Sequence, residues 1–512
     1  MTKMTKKYIG AIDQGTTSTR FVIFDERGAI VTYHQMEFEQ HYPHPGWVEH
    51  DPYDLLESVQ TCIEHAVRKL KAMGGDPSDI AGVGLTNQRE TTIAWDSQTG
   101  EPLYPAIVWS DGRTSATVKK MAAQSKQGIN ALQPICGLPL TTYFSGVKLR
   151  WMLDHVPEVK AALDERRLRF STVDTWLIYH LTGGMKHNGI LVTDVTNASR
   201  TMLMNIHTME WSQEAIEFFG FQGIQLAQIV SSSDIYGEIH SGSLEGVPIG
   251  GCLGDQQAAL VGQKCFEIGE AKNTFGTGCF MLFNVGHEPV LSSNGLLTTI
   301  AYQFGKNRPA YALEGSVAVA GSSLQWLRDN LGIIADAKEV NTLAAQVEDT
   351  AGVYFVTAFA GLFAPYWRDD ARGTICGLTQ YTNRSHIARA TLEAACYQVK
   401  AILDAMNADS GHPLRSLKVD GGMSNSDLCM QIQADLLGIP VDRPAMRETT
   451  ALGSAIAAGL ATGFWSDIEA VRQVNTENRT IFQSKIDEAR RNELYHGWKE
   501  AVSRSYGWAV QE

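Results

Sequence analysis

The segment Tyr8–Phe24, with the sequence YIGAIDQGTTSTRFVIF, contains two short apolar runs separated by a polar turn. The first run ends at Asp13, and the turn from Gln14 to Thr19 is rich in glycine, serine and threonine. Short apolar runs bounded by turn residues predict a β-hairpin. Backbone N–H groups and hydroxyls in such a turn can bind phosphate oxygens, and the Asp13 carboxylate can hold Mg²⁺. An ordinary polar hairpin with a solvated Asp13 explains the motif equally well by itself.

The residues after this hairpin predict an α/β domain. Residues 30–38 favour a third strand because they contain many β-branched and aromatic side chains. Asp51 and Pro52 are a typical N-cap and first helical residue, and the apolar residues from Leu55 to Leu70 then recur every three or four positions. Residues 80–85 and 91–95 predict two further strands. The resulting order is strand, strand, strand, helix, strand.

A related pattern starts again after the middle of the chain. Residues 247–249 lead into a glycine-rich turn and Asp255, and residues 272–285 predict two strands joined by a Gly-Thr-Gly turn. Residues 417–420 predict a strand that ends at a Gly-Gly turn. We therefore expect two α/β domains that meet at a cleft, one spanning 1–260 and the other 261–512.

Length and composition narrow the class of protein. At roughly 150 residues per domain, the 512 residues allow two large domains or three ordinary ones. The net charge of −13 disfavours nucleic acid as a partner. The eight cysteines form no C-x-x-C pair, so neither a zinc site nor a disulfide framework is predicted. The most apolar stretch, 449–465, is shorter than the ~20 residues of a membrane span and predicts a buried helix. Residues 1–7 lack the apolar stretch of a secretion signal, so we expect a cytoplasmic location.

Several short motifs are candidates for phosphoryl chemistry. The chain has no G-x-x-x-x-G-K-[ST] loop and no G-x-G-x-x-G motif, which disfavours P-loop NTPases, Rossmann dinucleotide enzymes and protein kinases. Residues 276–278 could form a second phosphate clamp, residues 419–424 could approach a nucleoside closely, and Asp255 could transfer a proton. Taken one at a time, each is better explained as a turn or, for Asp255, as a helix N-cap.

Taken together, the motifs resemble the FGGY family of carbohydrate kinases from Tyr8 to about Trp498. The matching stretches are residues 13–18, 45–51, 86–92, 143–151, 194–200, 254–260 and 272–280. Two family signatures also match. They are Y-x-S-x-x-K-x-x-W from Tyr143, and G-x-I-x-G-L from Gly373 followed by His386-Ile387 and residues 390–393.

The resemblance implies two actin-like (ribonuclease H-like) ATPase domains with the active site in the cleft between them. It implies ATP and Mg²⁺ as cofactors, glycerol as the acceptor, sn-glycerol 3-phosphate and ADP as products, and a homodimer. For acceptor binding it implies Arg89, Glu90, Trp109, Tyr143, Asp255, Gln256 and Phe280, with Asp255 as the catalytic base. For nucleotide binding it implies Thr16, Thr17, Ser18, Arg20, Thr277, Gly321, Gln325, Gly422 and Ser426, and for the metal Asp13. Ser426 stands where the family pattern has asparagine.

The acceptor residues also suit a small triol on chemical grounds. A guanidinium, a carboxylate and a phenol can orient hydroxyls that both donate and accept, while Trp109 and Phe280 pack against the carbon edge. Arg89 and Glu90 could instead form a surface ion pair.

The sequence leaves two other functions and the regulation open. A kinase for another small polyol or a ketose fits the same fold, and so does an actin-like or chaperone-like ATPase without a small-molecule acceptor. Residues 240–246 lack the arginine of the Gly-Gly-x-Arg loop that binds fructose bisphosphate in some bacterial relatives. His240 lies near a position that is phosphorylated in others, although an exposed loop histidine explains it more simply.

Overall fold

Two large mixed β-sheets, with helices packed around them, organise the structure, a computed structural model that describes residues 6–509. The prediction about a secretion signal in residues 1–7 therefore falls mostly outside the described residues.

The N-terminal half of the chain contributes the strands of the first sheet and several short strands outside it. Its strands are β1 (Tyr8–Gln14), β2 (Ser18–Phe24), β3 (Ile30–Glu37), β4 (Glu49–His50), β5 (Ile80–Asn87), β6 (Ile93–Asp96), β7 (Ala106–Ile107), β8 (Leu168–Ser171), β9 (Val192–Asp194), β10 (Met204–Asn205), β11 (Glu210–Trp211), β12 (Gln228–Val230), β13 (Ser233–Glu238) and β14 (Pro248–Gly254). Its helices are α1 (Pro52–Ala72), α2 (Ser115–Ala123), α3 (Gln133–Cys136), α4 (Ser145–His155), α5 (Pro157–Asp164), α6 (Val173–Leu181), α7 (Val195–Ala198), α8 (Gln213–Phe219) and α9 (Asp255–Gly262).

The C-terminal half of the chain contributes the strands of the second sheet and a short antiparallel pair outside it. Its strands are β15 (Glu270–Phe275), β16 (Cys279–Gly286), β17 (Leu297–Tyr302), β18 (Ala310–Val317), β19 (Tyr354–Val356), β20 (Thr374–Cys376), β21 (Ser416–Asp420), β22 (Val441–Arg443) and β23 (Thr480–Phe482). Its helices are α10 (Gly321–Asp329), α11 (Glu339–Ala344), α12 (Arg384–Ser410), α13 (Asp427–Leu437), α14 (Thr449–Thr462), α15 (Ile468–Arg472) and α16 (Glu488–Arg504). Short 3₁₀ turns lie at Pro77–Asp79, Gly128–Asn130, Gly184–His187 and Gly422–Asn425.

The two sheets share one pairing pattern. In the order β3-β2-β1-β5-β14, neighbours among the first three strands are antiparallel. Strand β5 then pairs parallel to β1, and β14 pairs parallel to β5. The order β18-β16-β15-β21-β22 repeats this arrangement in the second sheet. The predicted restart of the strand pattern is thereby confirmed, and the two hairpins β1–β2 and β15–β16 occupy equivalent places.

The strands and the helix predicted for residues 8–95 are confirmed. Helix α1 begins at Pro52, and the Asp51 side chain caps it by accepting from the backbone N–H of Tyr53. The strand predicted at residues 91–95 is observed as β6, which pairs with β8 and does not join the main sheet. A local apolar run predicts that a strand forms but not which strand it pairs with.

Helix α14 crosses from the C-terminal half of the sequence to the first sheet. It packs on β5 and β14 and against α9, and it shares a hydrophobic core with Ile9 and Val22 of the first sheet. Glycines allow this close approach, because a Cβ on Gly84 would lie 2.0 Å from the carbonyl oxygen of Ser454, and one on Gly453 would lie 1.8 Å from that of Ala258. The predicted buried helix within 449–465 is confirmed. Within residues 6–509, no helix has the length and apolar character needed to cross a membrane.

Gly84→Ala is expected to lower the free energy of unfolding by about 1–3 kcal/mol, because the added methyl group meets the backbone of α14, which cannot rotate away. Urea denaturation measures the change. Gly112→Ala is the matched control, since the nearest atom to its added Cβ lies at 3.6 Å, an ordinary contact distance. Equal unfolding midpoints for the two variants would contradict the proposed tight contact between α14 and β5.

Candidate active site

A cavity of about 720 Å³ lies between the two sheets. Ten of the residues singled out from the sequence line it, although they come from segments scattered between residues 16 and 280: Thr16, Thr17, Arg89, Glu90, Trp109, Tyr143, Asp255, Gln256, Thr277 and Phe280. The other seven do not line it: Asp13, Ser18, Arg20, Gly321, Gln325, Gly422 and Ser426. The structure therefore brings the predicted acceptor residues together with the tips of the two predicted phosphate turns.

The two phosphate turns are the tips of equivalent hairpins. In the β1–β2 turn, the N–H of Gly15 donates to the carbonyl of Ser18 at 3.0 Å; in the β15–β16 turn, the N–H of Gly276 donates to the carbonyl of Gly278 at 2.8 Å. These bonds close the turns and leave Thr17 and Thr277 exposed at their tips. Both turns can present hydroxyls and N–H groups to an anion in the cavity.

Arg89 is held by several partners at the inner wall of the cavity. Its Nη1 and Nη2 donate to the two carboxylate oxygens of Glu314 at 2.6 and 2.9 Å, and Nη2 also donates to the Tyr143 hydroxyl at 3.2 Å. Its Nε lies 3.3 Å from Oδ1 of Asp255. Because Arg89 is only 2% exposed and Glu90 1%, the alternative of a surface ion pair is wrong.

Glu314 and Arg200 are site residues that the sequence reasoning missed. Arg200 donates to Glu90 at 2.5 Å and to Glu314 at 3.1 Å, so two arginines and two glutamates form one buried network. Burial raises the pKa of Glu314, but the neighbouring Arg200 and Arg89 more than offset this and lower it to about 2. A glutamate within the largely apolar strand β18 was the available signal, since an unpaired buried carboxylate is costly.

Asp255 lines the cavity with a side chain that is more exposed than those of the lining residues Glu90 and Glu314. It is the first residue of α9, with Gly254 in the N-cap position, so the alternative that Asp255 is the N-cap is wrong. Its side chain is 29% exposed, and Oδ1 accepts from the N–H of Gln256 at 2.7 Å. A carboxylate fixed on one side and open to a cavity on the other can accept a proton from a bound hydroxyl.

Aromatic side chains form the remaining walls next to Asp255 and Arg89. The ring centroid of Trp109 lies 5.6 Å from that of Tyr143 and 6.1 Å from that of Phe280, both edge-on. Burial raises the pKa of Tyr143, so its hydroxyl stays protonated and can donate. The indole Nε1 of Trp109 donates to Oγ1 of Thr16 at 2.9 Å, which connects the aromatic wall directly to the first phosphate turn.

Trp109→Phe is expected to lower kcat about 3- to 10-fold, because it keeps an aromatic wall but removes the hydrogen bond that holds the Thr16 hydroxyl. Steady-state kinetics with saturating substrates measure the change. Trp211→Phe is the matched control, since it removes an indole hydrogen bond to the carbonyl of Ala227, away from the cavity. An unchanged kcat in Trp109→Phe would contradict a coupling through this bond.

Asp13 lies at the end of β1 beside two other acidic residues. Burial, together with Glu448 and Asp255, raises the pKa of Asp13 to about 6, while Arg20 opposes the shift. Arg20 itself forms an ion pair with Glu448. A half-buried carboxyl group with acidic neighbours is stabilised as an anion by a bound cation, so this position fits a hard metal ion such as Mg²⁺.

Apart from Thr277, the predicted nucleotide residues of the C-terminal half lie outside the cavity lining. The side chain of Ser426 caps α13 by accepting from the N–H of Cys429 and contacts Asn341. Gln325 is exposed on α10, and a Cβ on Gly422 would meet open space, so the backbone there is accessible. Their roles in nucleotide binding stay predictions.

Asp420, at the end of β21, has a structural contact that its sequence motif does not indicate. Its buried Oδ2 accepts from Gln263 next to α9 at 2.9 Å and from Thr449 of α14 at 2.5 Å. The carboxylate therefore ties the second sheet to the helix pair that packs on the first.

Comparison with known proteins identifies the family. Residues 8–262 match the N-terminal domain of the FGGY family of carbohydrate kinases, and residues 271–462 match its C-terminal domain. The glycerol kinase of Chloroflexus aurantiacus is 54% identical over 503 residues, covering 98% of this chain and 99% of that protein. The glycerol kinase of Clavibacter michiganensis is 51% identical over 506 residues, covering 99% of both.

Solved structures agree with the sequence comparison. The glycerol kinase of Plasmodium falciparum with ADP has a TM-score of 0.90 and 38% identity, with 99% of each chain covered. A xylulose kinase from Lactobacillus acidophilus has a TM-score of 0.86 at 22% identity, covering 98% of this chain and 99% of that one, which shows the fold alone. The predicted two-domain α/β kinase fold is confirmed. The chain belongs to the FGGY family of carbohydrate kinases.

Proposed function

We propose that this chain transfers the γ-phosphoryl group of ATP to glycerol, forming sn-glycerol 3-phosphate and ADP. The observation that carries the proposal is one cavity that holds both phosphate turns together with Arg89, Tyr143, Asp255 and Gln256. The glycerol kinases that match nearly the full chain support glycerol as the acceptor. The glycerol kinase structure with ADP supports ATP as the donor.

In the proposed mechanism, Asp255 accepts the proton of a terminal glycerol hydroxyl as its oxygen meets the γ-phosphorus. Phosphoryl transfer passes through a loose transition state, so alignment and charge stabilisation dominate the rate. Arg89 and Tyr143 donate to the acceptor's other oxygens, and Trp109 and Phe280 pack against its carbon edge. The N–H and hydroxyl groups of the two turns stabilise charge on the phosphate oxygens.

Mg²⁺ is proposed as the metal, and Asp13 as the residue that holds it. When bound, the ion would neutralise charge on the phosphate oxygens. The raised pKa of Asp13 and its acidic neighbours support this assignment. Ser18, Arg20, Gly321, Gln325, Gly422 and Ser426 are proposed to contribute to nucleotide binding as the cleft closes.

An acceptor panel tests the proposed function. ADP release is measured with ATP and Mg²⁺ and with glycerol, dihydroxyacetone, erythritol or xylulose. The highest kcat/KM is expected with glycerol, since the aromatic walls limit the length of the acceptor. ADP release without acceptor is expected to be weak, because closure excludes water from the γ-phosphorus. A clear preference for xylulose would favour a ketose kinase, and ATP-dependent assembly without acceptor-stimulated ADP release would favour an actin-like ATPase.

The domain boundary near residue 260 is proposed as the division between an N-terminal side that binds the polyol and phosphates and a C-terminal side that binds the nucleotide. A homodimer and a cytoplasmic location stay predictions of the sequence.

A further inference from the structure

Lys272 is a buried cation beside the acceptor part of the cavity. It lies in the middle of β15, and its side chain is fully buried. Its Nζ donates to Oε1 of Gln256 at 2.5 Å, to Oγ1 of Thr274 at 3.0 Å and to the carbonyl of Phe280 at 3.2 Å. The ammonium group therefore connects the start of α9 to the aromatic wall of the cavity.

These contacts determine which way the Gln256 amide faces. An ammonium group has three donors and no acceptor, so only the amide oxygen of Gln256 can face it favourably. The amide nitrogen then points away from Lys272. Within residues 6–509, no protein group accepts a hydrogen bond from Nε2 of Gln256, and this side chain lines the cavity. The amide nitrogen of Gln256 therefore presents a hydrogen-bond donor to the cavity.

The orientation matters because the neighbouring groups have different hydrogen-bonding character. Asp255 offers an acceptor, whereas Arg89 offers donors. An amide free to flip would offer its oxygen as often as its nitrogen. With the nitrogen fixed, a hydroxyl of the acceptor can accept from Gln256 while it donates to a carboxylate. This arrangement gives that hydroxyl a defined direction.

Neighbouring carboxylates and hydrogen-bond acceptors stabilise the buried ammonium group of Lys272. Burial lowers the pKa of Lys272 to about 8, while Asp420, Asp255 and Glu314 act in the opposite direction. A buried ammonium is expensive unless it is hydrogen-bonded, and here all three donors have partners.

We infer that Lys272 is a positioning residue for the acceptor, which holds the amide nitrogen of Gln256 toward one hydroxyl of the bound polyol. The inference rests on the proposed function, because it assumes that a polyol occupies this part of the cavity.

The test compares Lys272→Met and Lys272→Arg with the wild-type chain. Lys272→Met is expected to raise KM for glycerol at least tenfold, with a smaller fall in kcat and an unchanged KM for ATP. Lys272→Arg is expected to restore part of the affinity, since a guanidinium also carries only donors. Lys418→Met is the matched control. Lys418 lies directly opposite Lys272 in the β15–β21 register, and its Nζ contacts Glu270 and the carbonyl of Lys264 instead of Gln256.

Two deoxy acceptors separate positioning from general damage. KM is measured for 1,2-propanediol and 1,3-propanediol, each of which lacks one hydroxyl of glycerol. For the diol that lacks the hydroxyl facing Gln256, KM is expected to differ little between Lys272→Met and the wild-type chain, because this diol cannot form the hydrogen bond to Gln256 in either protein. Equal losses for glycerol and both diols, or an unchanged KM for glycerol, would overturn the inference. If the wild-type chain prefers another acceptor, the proposed function fails, and the same KM comparison with that acceptor still decides the role of Lys272.

Discussion

Asp255→Asn is expected to lower kcat for glycerol phosphorylation by about 10²–10⁴-fold, the usual contribution of a positioned general base. The amide oxygen of asparagine can still accept from the N–H of Gln256, which Asp255 does at 2.7 Å, so the backbone geometry is retained. The amide cannot take up the proton that the acceptor hydroxyl releases. KM for glycerol is therefore expected to change much less than kcat. Coupled ADP-release kinetics measure both parameters, and calorimetry measures glycerol binding directly.

Asp234→Asn provides the matched control for this experiment, because Asp234 is an exposed aspartate of β13 away from the cavity. Its kinetics are expected to equal those of the wild-type chain. Near-normal turnover in Asp255→Asn would end the assignment of Asp255 as the base. A loss confined to KM would instead make it a binding residue.

Glu314→Gln is expected to lower the free energy of unfolding by about 3–5 kcal/mol and to raise KM for glycerol. Glu314 is completely buried and pairs with Arg89 and Arg200. Its loss leaves two buried guanidinium groups with Glu90 as the remaining carboxylate of the network. Arg89 then loses the bidentate contact with the Glu314 carboxylate that orients it toward the cavity. Urea denaturation and steady-state kinetics measure the two effects.

Glu288→Gln is the control, because Glu288 also pairs with an arginine, Arg308, but is 80% exposed. The free energy of unfolding of Glu288→Gln is expected to equal that of the wild-type chain, since most surface ion pairs contribute little to stability.

The pH dependence of the free energy of unfolding gives an independent check on Glu314. Since the pKa of Glu314 falls from 4.5 to about 2 on folding, its stabilisation is complete above pH 4.5 and is lost as the pH falls toward 2. The stability difference between wild type and Glu314→Gln should shrink over that range, and a difference that is constant with pH would contradict the role of the charge.

Local sequence patterns predicted most of the elements and the segments that carry the site. The hairpins β1–β2 and β15–β16, helix α1 and the buried helix α14 all follow from apolar periodicity, turn residues and capping within a few positions of each other. The acceptor residues could be predicted because each belongs to a short motif that resembles the family.

Contacts between distant residues were beyond this reasoning. Glu314 meets Arg89 across 225 positions and Arg200 across 114, and no pattern near any of the three indicates the other two. The burial of Arg89 and Glu90 follows from that network, and a motif by itself is equally compatible with a surface pair.

The sequence by itself determined the family, the two-fold repetition of the sheet pattern and the identity of the residues at the phosphate turns, because these depend on short-range spacing. Only the tertiary structure decided that α14 packs on the first sheet, that Glu314 pairs with both Arg89 and Arg200, and that Lys272 turns the Gln256 amide toward the cavity. Burial and charge pairing depend on which segments meet in space, and that is a property of the folded chain as a whole.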